Sequence, residues 1–373
     1  MRILAILPSY RPVSFVGNVG GGELSNKSLL EGLAALGHEV SVITLNAGGI
    51  GAFEESGVDV KEFGSSSGAL GWFLSRWQLY RRSLATLSEC SAHAPDVLLT
   101  GTEALGVALR LGKAFGVPVA VFIRAYENFE KPAGGKAWLK NWIKRLALGK
   151  FGPAAVAKAD MLLPNSEFMA EYCEKSVPGS VPMSVIFPPL DVEPRGRPFV
   201  GGIRTVSMVG TSNKKGIQVV RALARDFPNL RFRIVGYPGI APGDQVEQDN
   251  VLFVGWCDIE EEFCTVADLI LVPSLWAEPF GRVAVEALAA GKWLLVSDIG
   301  GLREAVAYQQ RLMIAAGDTI AWRDRVAQLL SNSEQFLDAW QAAASGMERF
   351  SKDAQVKRLE AALESLAYRE PSP

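Results

Sequence analysis

Histidine is almost missing from this chain: His38 and His93 are the only two among 373 residues. An imidazole base or metal ligand therefore has few places to come from. Cysteine is sparse as well. Cys90, Cys173, Cys257 and Cys264 form no C-x-x-C pair, which excludes a disulfide framework and a zinc knuckle and fits reduced thiols in a cytoplasmic protein. Neither sign of charge dominates. Thirty-eight basic residues against forty acidic ones give a formal charge of -2, and no basic tail or Arg-rich run marks a nucleic-acid partner. No apolar run approaches the roughly 20 residues that span a bilayer, so the chain is not expected to be an integral membrane protein. The opening MRILAILPSY is too short for a signal-peptide core and reads as a first strand. No Asp-x-Asp occurs anywhere, which leaves a manganese-dependent sugar-nucleotide site without its usual ligands.

What is present is a rhythm. Short apolar runs at Ile3–Leu7, Val40–Thr44, Val97–Thr100, Val119–Ile123 and Met161–Leu163 alternate with helical patterns, and the alternation resumes at Thr205–Val209, Arg231–Val235, Val251–Val254, Leu269–Val272, Trp293–Ser297 and Leu312–Ile314. Unbroken apolar strands separated by amphipathic stretches predict α/β domains with parallel sheets covered on both faces. Between the two series, FPPLDVEPRGRPFVGGIR (187–204) carries four prolines and three glycines and predicts a linker. The expected organisation is a Rossmann-like domain over 1–190, a linker over 191–203, a second Rossmann-like domain over 204–350 and a C-terminal helix over 351–373. Ligands of such sheets bind beyond the carboxyl ends of the strands, here expected in a cleft between the domains.

The richest segment is PSLWAEPFGRVAVEALAAGKWLLVSDIGGLREAV (273–306). It reads as strand, turn, helix and strand, with the helix opening near Gly281. Glu286 falls among Val283, Ala284, Val285, Ala287, Leu288 and Ala289, and a carboxylate in so apolar a helix needs a donor. A ligand hydroxyl would serve, with the Phe280 and Gly281 amides facing an anionic group at the helix start. An arginine partner would also satisfy Glu286.

Glu278-Pro279-Phe280-Gly281, Glu286-Ala287, Gly291 and Gly300-Gly301-Leu302-Arg303-Glu304 resemble the E-x7-E region of family 4 glycosyltransferases, retaining enzymes of the GT-B fold. The resemblance extends to GGGELSNKSLLEGLAALGHEVSVIT near the N-terminus, and it implies two Rossmann-like domains facing across a cleft, with the C-terminal helix crossing back to the first domain. It also implies transfer of a sugar from a nucleotide-sugar donor to a hydroxyl acceptor with retained configuration. Glu278 would hold donor sugar hydroxyls, Glu286 the ribose diol, and Lys215 the departing diphosphate, while Phe280, Gly281 and Arg282 complete the donor side.

Several positions depart from the family pattern or remain open. Gly20, Gly21 and Gly22 form a glycine-rich loop before a helix expected from about Leu24 to Leu36, placed by the resemblance beside the donor diphosphate or the acceptor; a flexible turn fits the residues equally. The run Ser212-Asn213-Lys214-Lys215-Gly216 lacks the arginine that relatives carry ahead of the Lys-Gly pair. Asn213 and Lys214 stand in as donor contacts, or Lys214 is a solvated turn lysine. Relatives often place a histidine after the strand corresponding to Val119–Ile123, and this chain reads Arg124-Ala125-Tyr126-Glu127 there. Arg124 could stabilise phosphate charge, though it cannot be a general base, and pairing with Glu127 or Glu130 is the structural alternative. Tyr126 and Glu127 are candidate acceptor contacts. The family's front-face mechanism, in which the leaving diphosphate takes the acceptor's proton, tolerates the loss of the histidine. Trp256 and Cys257 lie in the loop whose backbone meets the nucleotide in relatives. His38, in the GHEV turn, is expected to be structural.

The resemblance implies no cofactor beyond the nucleotide sugar itself, and the absence of Asp-x-Asp leads to an expectation of metal independence. Lys136–Phe151 (KAWLKNWIKRLALGKF) has tryptophans and basic residues at helical spacing, which suits either a core-facing helix or peripheral contact with an anionic membrane surface. A cytoplasmic enzyme, peripheral at the inner face of the membrane and acting on a glycan or glycolipid of the cell envelope or an exopolysaccharide, is the resulting expectation. Two rival readings stand beside it: a nucleotide-sugar-binding protein of the same fold without catalysis, and a dinucleotide oxidoreductase, for which the G-x-G-x-x-G spacing is absent.

Overall fold

The computed structural model describes residues 1–10, 20–46, 51–64, 81, 85, 94–126, 129, 152–190, 195–198, 200 and 202–368. The chain divides into two compact units, Met1–Pro189 with Lys352–Pro373, and Leu190–Ser351.

In the first unit the strands are β1 (Arg2–Ile6), β2 (Glu39–Asn46), β3 (Gly51–Glu55), β4 (Val58–Gly64), β5 (Val97–Gly101), β6 (Val119–Ile123) and β7 (Met161–Pro164). They form one seven-stranded sheet in the order β3-β4-β2-β1-β5-β6-β7. Every pairing is parallel except β3 with β4. That edge hairpin turns through Ser56 and Gly57, both at positive φ (52° and 76°), the backbone that a two-residue hairpin turn requires. The remaining strands are buried on both faces. Along β1, Leu4 and Ile6 enter one core and Ile3 and Ala5 the other, as the period of two demands.

One face is covered by the Gly21–Ala35 helix and the C-terminal Lys352–Ala367 helix, through Leu29, Leu30 and Leu33 with Val356, Leu359 and Leu363. The two helices come together at Gly32, where an added Cβ would lie 2.2 Å from Val356 Cγ2. The imidazole of His38 joins the same elements structurally: one ring nitrogen meets Glu360 Oε1 at 2.7 Å, the other the Met1 amino group at 3.1 Å. The amphipathic C-terminal stretch thus belongs to the first unit.

The second unit holds β8 (Thr205–Val209), β9 (Arg231–Val235), β10 (Gln245–Gln248), β11 (Val251–Val254), β12 (Leu269–Val272), β13 (Trp293–Ser297) and β14 (Met313–Ile314). Their order is β10-β11-β9-β8-β12-β13-β14, again parallel apart from one edge strand, the fully exposed β10. Strand order reverses between β8 and β12, so the loops after these two strands diverge from a topological switch point. Both sheets are therefore mixed rather than purely parallel; their polar edge strands β3 and β10 escape a search for apolar runs. No described helix is long and apolar enough to cross a membrane. Lys136–Phe151 lies outside the described residues.

Candidate active site

The loops leaving β8 and β12 meet at that switch point. After β8, Ser212 caps a turn at Asn213–Lys215, its hydroxyl accepting the Lys215 N–H at 3.3 Å. Gly216 follows at φ +81°, and a Cβ there would sit 1.9 Å from the Pro273 carbonyl oxygen at the end of β12. Only glycine lets the two loops cross so closely. The Leu275 amide bonds back to the Lys214 carbonyl at 2.7 Å.

This crossing brings Lys215 Nζ to 2.9 Å from Glu278 Oε1, across 63 positions of sequence. Glu278 is buried, while about a third of the Lys215 side chain remains open to solvent. The fully buried Ser274 hydroxyl donates to the same carboxylate oxygen. Trp276 lies under both lysines, with Lys214 Nζ 5.3 Å and Lys215 Nζ 6.0 Å from its ring centre. Lys214 and Asn213 are exposed. Ser274 and Trp276 are absent from the sequence-derived set. A lone serine directly after the buried run Leu269–Val272 and the proline was the signal available for the first.

A second close crossing fixes the backbone of Glu278. A Cβ on Gly300 would fall 2.6 Å from the Glu278 carbonyl oxygen, and one on Gly301 2.6 Å from Phe280 Cα; the Gly301 amide donates to the Glu278 carbonyl at 2.8 Å. Gly281, at φ +100°, then starts the Arg282–Ala289 helix, and Phe280 anchors it edge-on against Phe350. Here the structure differs from the expectation of a buried carboxylate awaiting a ligand. Glu286 is only half-buried, and its carboxylate accepts from Arg282 Nε at 2.5 Å, one turn back on the same helix. The arginine alternative thus accounts for its donor in this state.

Trp256 and Cys257 stand apart from the Lys215–Glu278 pair, beyond β11. The Trp256 indole packs on Gly236, where a Cβ would come within 3.2 Å of the ring, and it remains substantially exposed. The Cys257 thiol faces inward, 4.0 Å from Glu262 Oε2. Glu262 is buried and accepts two bonds from Arg233, each 2.8 Å, and one from Ser207 at 2.6 Å. Burial, and then the Glu262 charge, pushes the Cys257 thiol above the usual thiol range.

In the first unit, Gly20 caps the Gly21–Ala35 helix, so Gly21 and Gly22 form its first turn rather than a loop. Residues 17–19 lie outside the described residues. A Cβ on Gly22 would be 3.8 Å from Arg124 Cβ. The Arg124 guanidinium donates to Asn26 Oδ1 at 3.1 and 2.9 Å and to the Ile186 carbonyl at 3.2 Å, and stacks 4.5 Å over Phe122. Burial lowers it to about 9, which leaves it charged at neutral pH. Tyr126 packs against Phe168 and Tyr172. Glu127 and Glu130 lie outside the described residues.

Comparisons with known proteins agree with this architecture. The family described as "Glycosyl transferases group 1" matches residues 203–346, and the "Glycosyl transferase 4-like domain" matches residues 20–188. Glycogen synthase of Mycobacterium tuberculosis is 29% identical over 394 residues, covering 95% of this chain and 91% of that protein. An uncharacterized 42.6 kDa protein in the cps region of Klebsiella pneumoniae is 46% identical over 55 residues, which span 15% of this chain and 14% of that one. Among solved structures, sucrose-phosphate synthase from Thermosynechococcus elongatus superposes with a TM-score of 0.73 at 19% identity, covering 98% of this chain and 99% of that chain. Anabaena HepE in complex with UDP and glucose gives 0.68 at 19% identity, with 98% and 100% covered. At such identities the structural likeness speaks for the fold, while the two family matches, one in each unit, speak for descent. The chain belongs to the family 4 glycosyltransferases of the GT-B fold.

Proposed function

We propose that this chain is a retaining glycosyltransferase that moves a sugar from a nucleotide-sugar donor to a hydroxyl of a glycan or glycolipid of the cell envelope or an exopolysaccharide. The observation that carries the reading is the contact of Lys215 Nζ with Glu278 Oε1 at a sheet switch point, beside a helix N-terminus. A cation, a buried carboxylate and a helix N-terminus at one place suit a ligand that is anionic at one end and rich in hydroxyls at the other. The Anabaena HepE structures with UDP and with UDP-glucose make uridine nucleotides the first donors to test.

In the proposed reaction the bond between the sugar's anomeric carbon and the diphosphate oxygen breaks, and a bond from that carbon to the acceptor oxygen forms on the same face. The proton of the acceptor hydroxyl passes to the leaving diphosphate. Lys215 stabilises the charge that grows there, with Lys214 and Asn213 beside it, and Glu278 holds the sugar hydroxyls. Glu286 exchanges its Arg282 bond for the ribose diol, and Arg282, Phe280, Gly281, Trp256 and Cys257 complete the donor side. Gly20, Gly21, Gly22 and Arg124 offer a helix start and a fixed cation to phosphate, and Tyr126 and Glu127 the acceptor contacts. No metal or cofactor takes part in this proposal, and the enzyme works in the cytoplasm.

A thermal-shift panel of UDP, GDP, ADP and dTDP with their common sugars tests the reading, because a ligand bound only by the folded state raises the melting temperature. A shift with one nucleotide, lost in Glu286→Ala, followed by EDTA-resistant sugar transfer, is expected. Tight binding without transfer or donor hydrolysis would instead identify a nucleotide-sugar-binding protein.

A further inference from the structure

Glu278 is held by two donors of different kinds. Lys215 is a flexible cation on a loop, partly open to solvent; Ser274 is a neutral hydroxyl with no exposed surface, set by the end of β12. Both address Oε1, and among the described residues no donor reaches Oε2. One side of the carboxylate is therefore fixed and the other is available to a ligand.

The two donors differ in what happens when a donor substrate arrives. A diphosphate competes for the Lys215 ammonium, since two phosphate charges outbid one carboxylate for a mobile cation. Ser274 has no such competitor, because it is sealed beneath the loop. The Glu278 backbone does not need Ser274 for its course, being pinned independently by Gly300 and by the Gly301 amide. What remains for the serine is the direction of the side chain.

We propose that Ser274 is a positioning residue for glycosyl transfer: its hydroxyl keeps the Glu278 carboxylate aimed, with Oε2 towards the donor sugar, once Lys215 has turned to the diphosphate. The assignment rests on the reading of Lys215 and Glu278 given above. It makes a hydroxyl that touches no substrate set the rate through a carboxylate that does. Small misplacements of a contacting group are costly to turnover even when binding survives.

The test is a double-mutant cycle of Ser274→Ala and Glu278→Ala, read as turnover of the nucleotide sugar selected by the thermal-shift panel, with the shift by the matching free nucleoside diphosphate as the check of folding. Ser274→Ala is expected to lower kcat by about 10- to 100-fold, leaving nucleoside diphosphate affinity within about threefold. Ser274→Thr, which keeps the hydroxyl, recovers part of the loss. In the Glu278→Ala background the serine change has an effect below about twofold, because its partner is gone. Equal fold-losses in both backgrounds would overturn the assignment, as would a loss of nucleotide affinity parallel to that of turnover. Should Ser274→Ala not fold, Ser274→Cys, similar in volume but a weak donor, takes its place in the cycle. Full turnover in Lys215→Ala and Glu278→Ala, or a panel without any shift, would overturn the reading of the site itself; additivity with both residues essential removes only the role of Ser274.

Discussion

Replacing Lys215 by methionine keeps the length of the side chain and removes its charge, which separates the two jobs of the Lys215–Glu278 contact. Glu278 is 6% exposed and its side chain would lose the one cation paired with it among the described residues, keeping the Ser274 hydroxyl. Breaking a fully buried pair on one side costs about 3–5 kcal/mol. Lys215 is roughly one-third exposed, so water screens the interaction and relieves part of that penalty, and about 1–3 kcal/mol is the expected loss. For a unit of this size each kcal/mol moves the melting temperature by about 2–4 °C. Turnover suffers more, because the ammonium faces the charge that develops on the leaving diphosphate; a loss of about 100- to 1,000-fold in kcat is expected. Adding Glu278→Gln removes the orphaned charge. Stability should return to within about 1 kcal/mol of the parent, while activity stays low or falls further. Calorimetric unfolding of the parent, the single variant and the double variant, with kcat and KM on the selected donor, gives both readouts. The reasoning fails if Lys215→Met keeps its kcat and only raises KM, or if the second substitution gives no recovery of stability.

Three further outcomes follow from the same geometry. Gly216→Ala and Gly210→Ala both place an L side chain at positive φ (81° and 91°), but only the first drives a Cβ to 1.9 Å from the Pro273 carbonyl, the second meeting the bendable Lys215 side chain at 3.3 Å; losses of about 2–4 and about 1–2 kcal/mol are expected, chemical denaturation ranks the two, and equal effects would contradict the crossing described. Glu286→Ala breaks a mostly buried pair one turn apart on a single helix, so stability should fall by about 1–2 kcal/mol while the nucleotide thermal shift disappears; a retained shift would leave Glu286 a structural partner of Arg282. Cys257, its thiol raised by burial and then by Glu262, should carry less thiolate at pH 8 than a free thiol, and peptide mass spectrometry should find it alkylated more slowly than a model thiol, gaining speed as the pH climbs through the raised value. Alkylation at the model rate would mean that the sulfur faces solvent.

Much of this fold can be read from strands that are apolar from end to end. Runs such as Val119–Ile123 and Leu269–Val272 announce themselves because helices cover both faces of their sheets, leaving no polar position to interrupt them. The edge strands lack that cover. Gln245–Gln248 is exposed throughout, and in Gly51–Glu55 the apolar signal falls below detection, with Ser56-Gly57 as the sole local sign of a hairpin. In the candidate site, sequence supplied the residue types but not their meetings. That Lys215 reaches Glu278 depends on a glycine crossing a carbonyl 57 positions away, from Gly216 to Pro273, which no local pattern encodes. Glu286 shows the converse: its partner Arg282 sat four residues upstream, at the spacing that places two side chains on one helical face, and the pairing is the plainest use of that spacing. Gly300 and Gly301 entered through resemblance, and their physical reason is the backbone of Glu278 and Phe280 pressed against them.

The Lys352–Ala367 helix that closes over the first sheet is encoded after the whole of the second unit. A ribosome adding about 5–20 residues each second leaves on the order of ten seconds or more between the first unit's last strand and this helix. During that interval Leu29, Leu33 and the groove at Gly32 have no Val356, Leu359 or Leu363 to cover them, and His38 has no Glu360. Residues 190–351 are continuous and wait for nothing downstream. The nascent chain therefore completes its second unit while its first still carries an open apolar seam, and a message truncated before codon 352 yields a protein sound in the half that carries Lys215 and Glu278 and unsealed in the other.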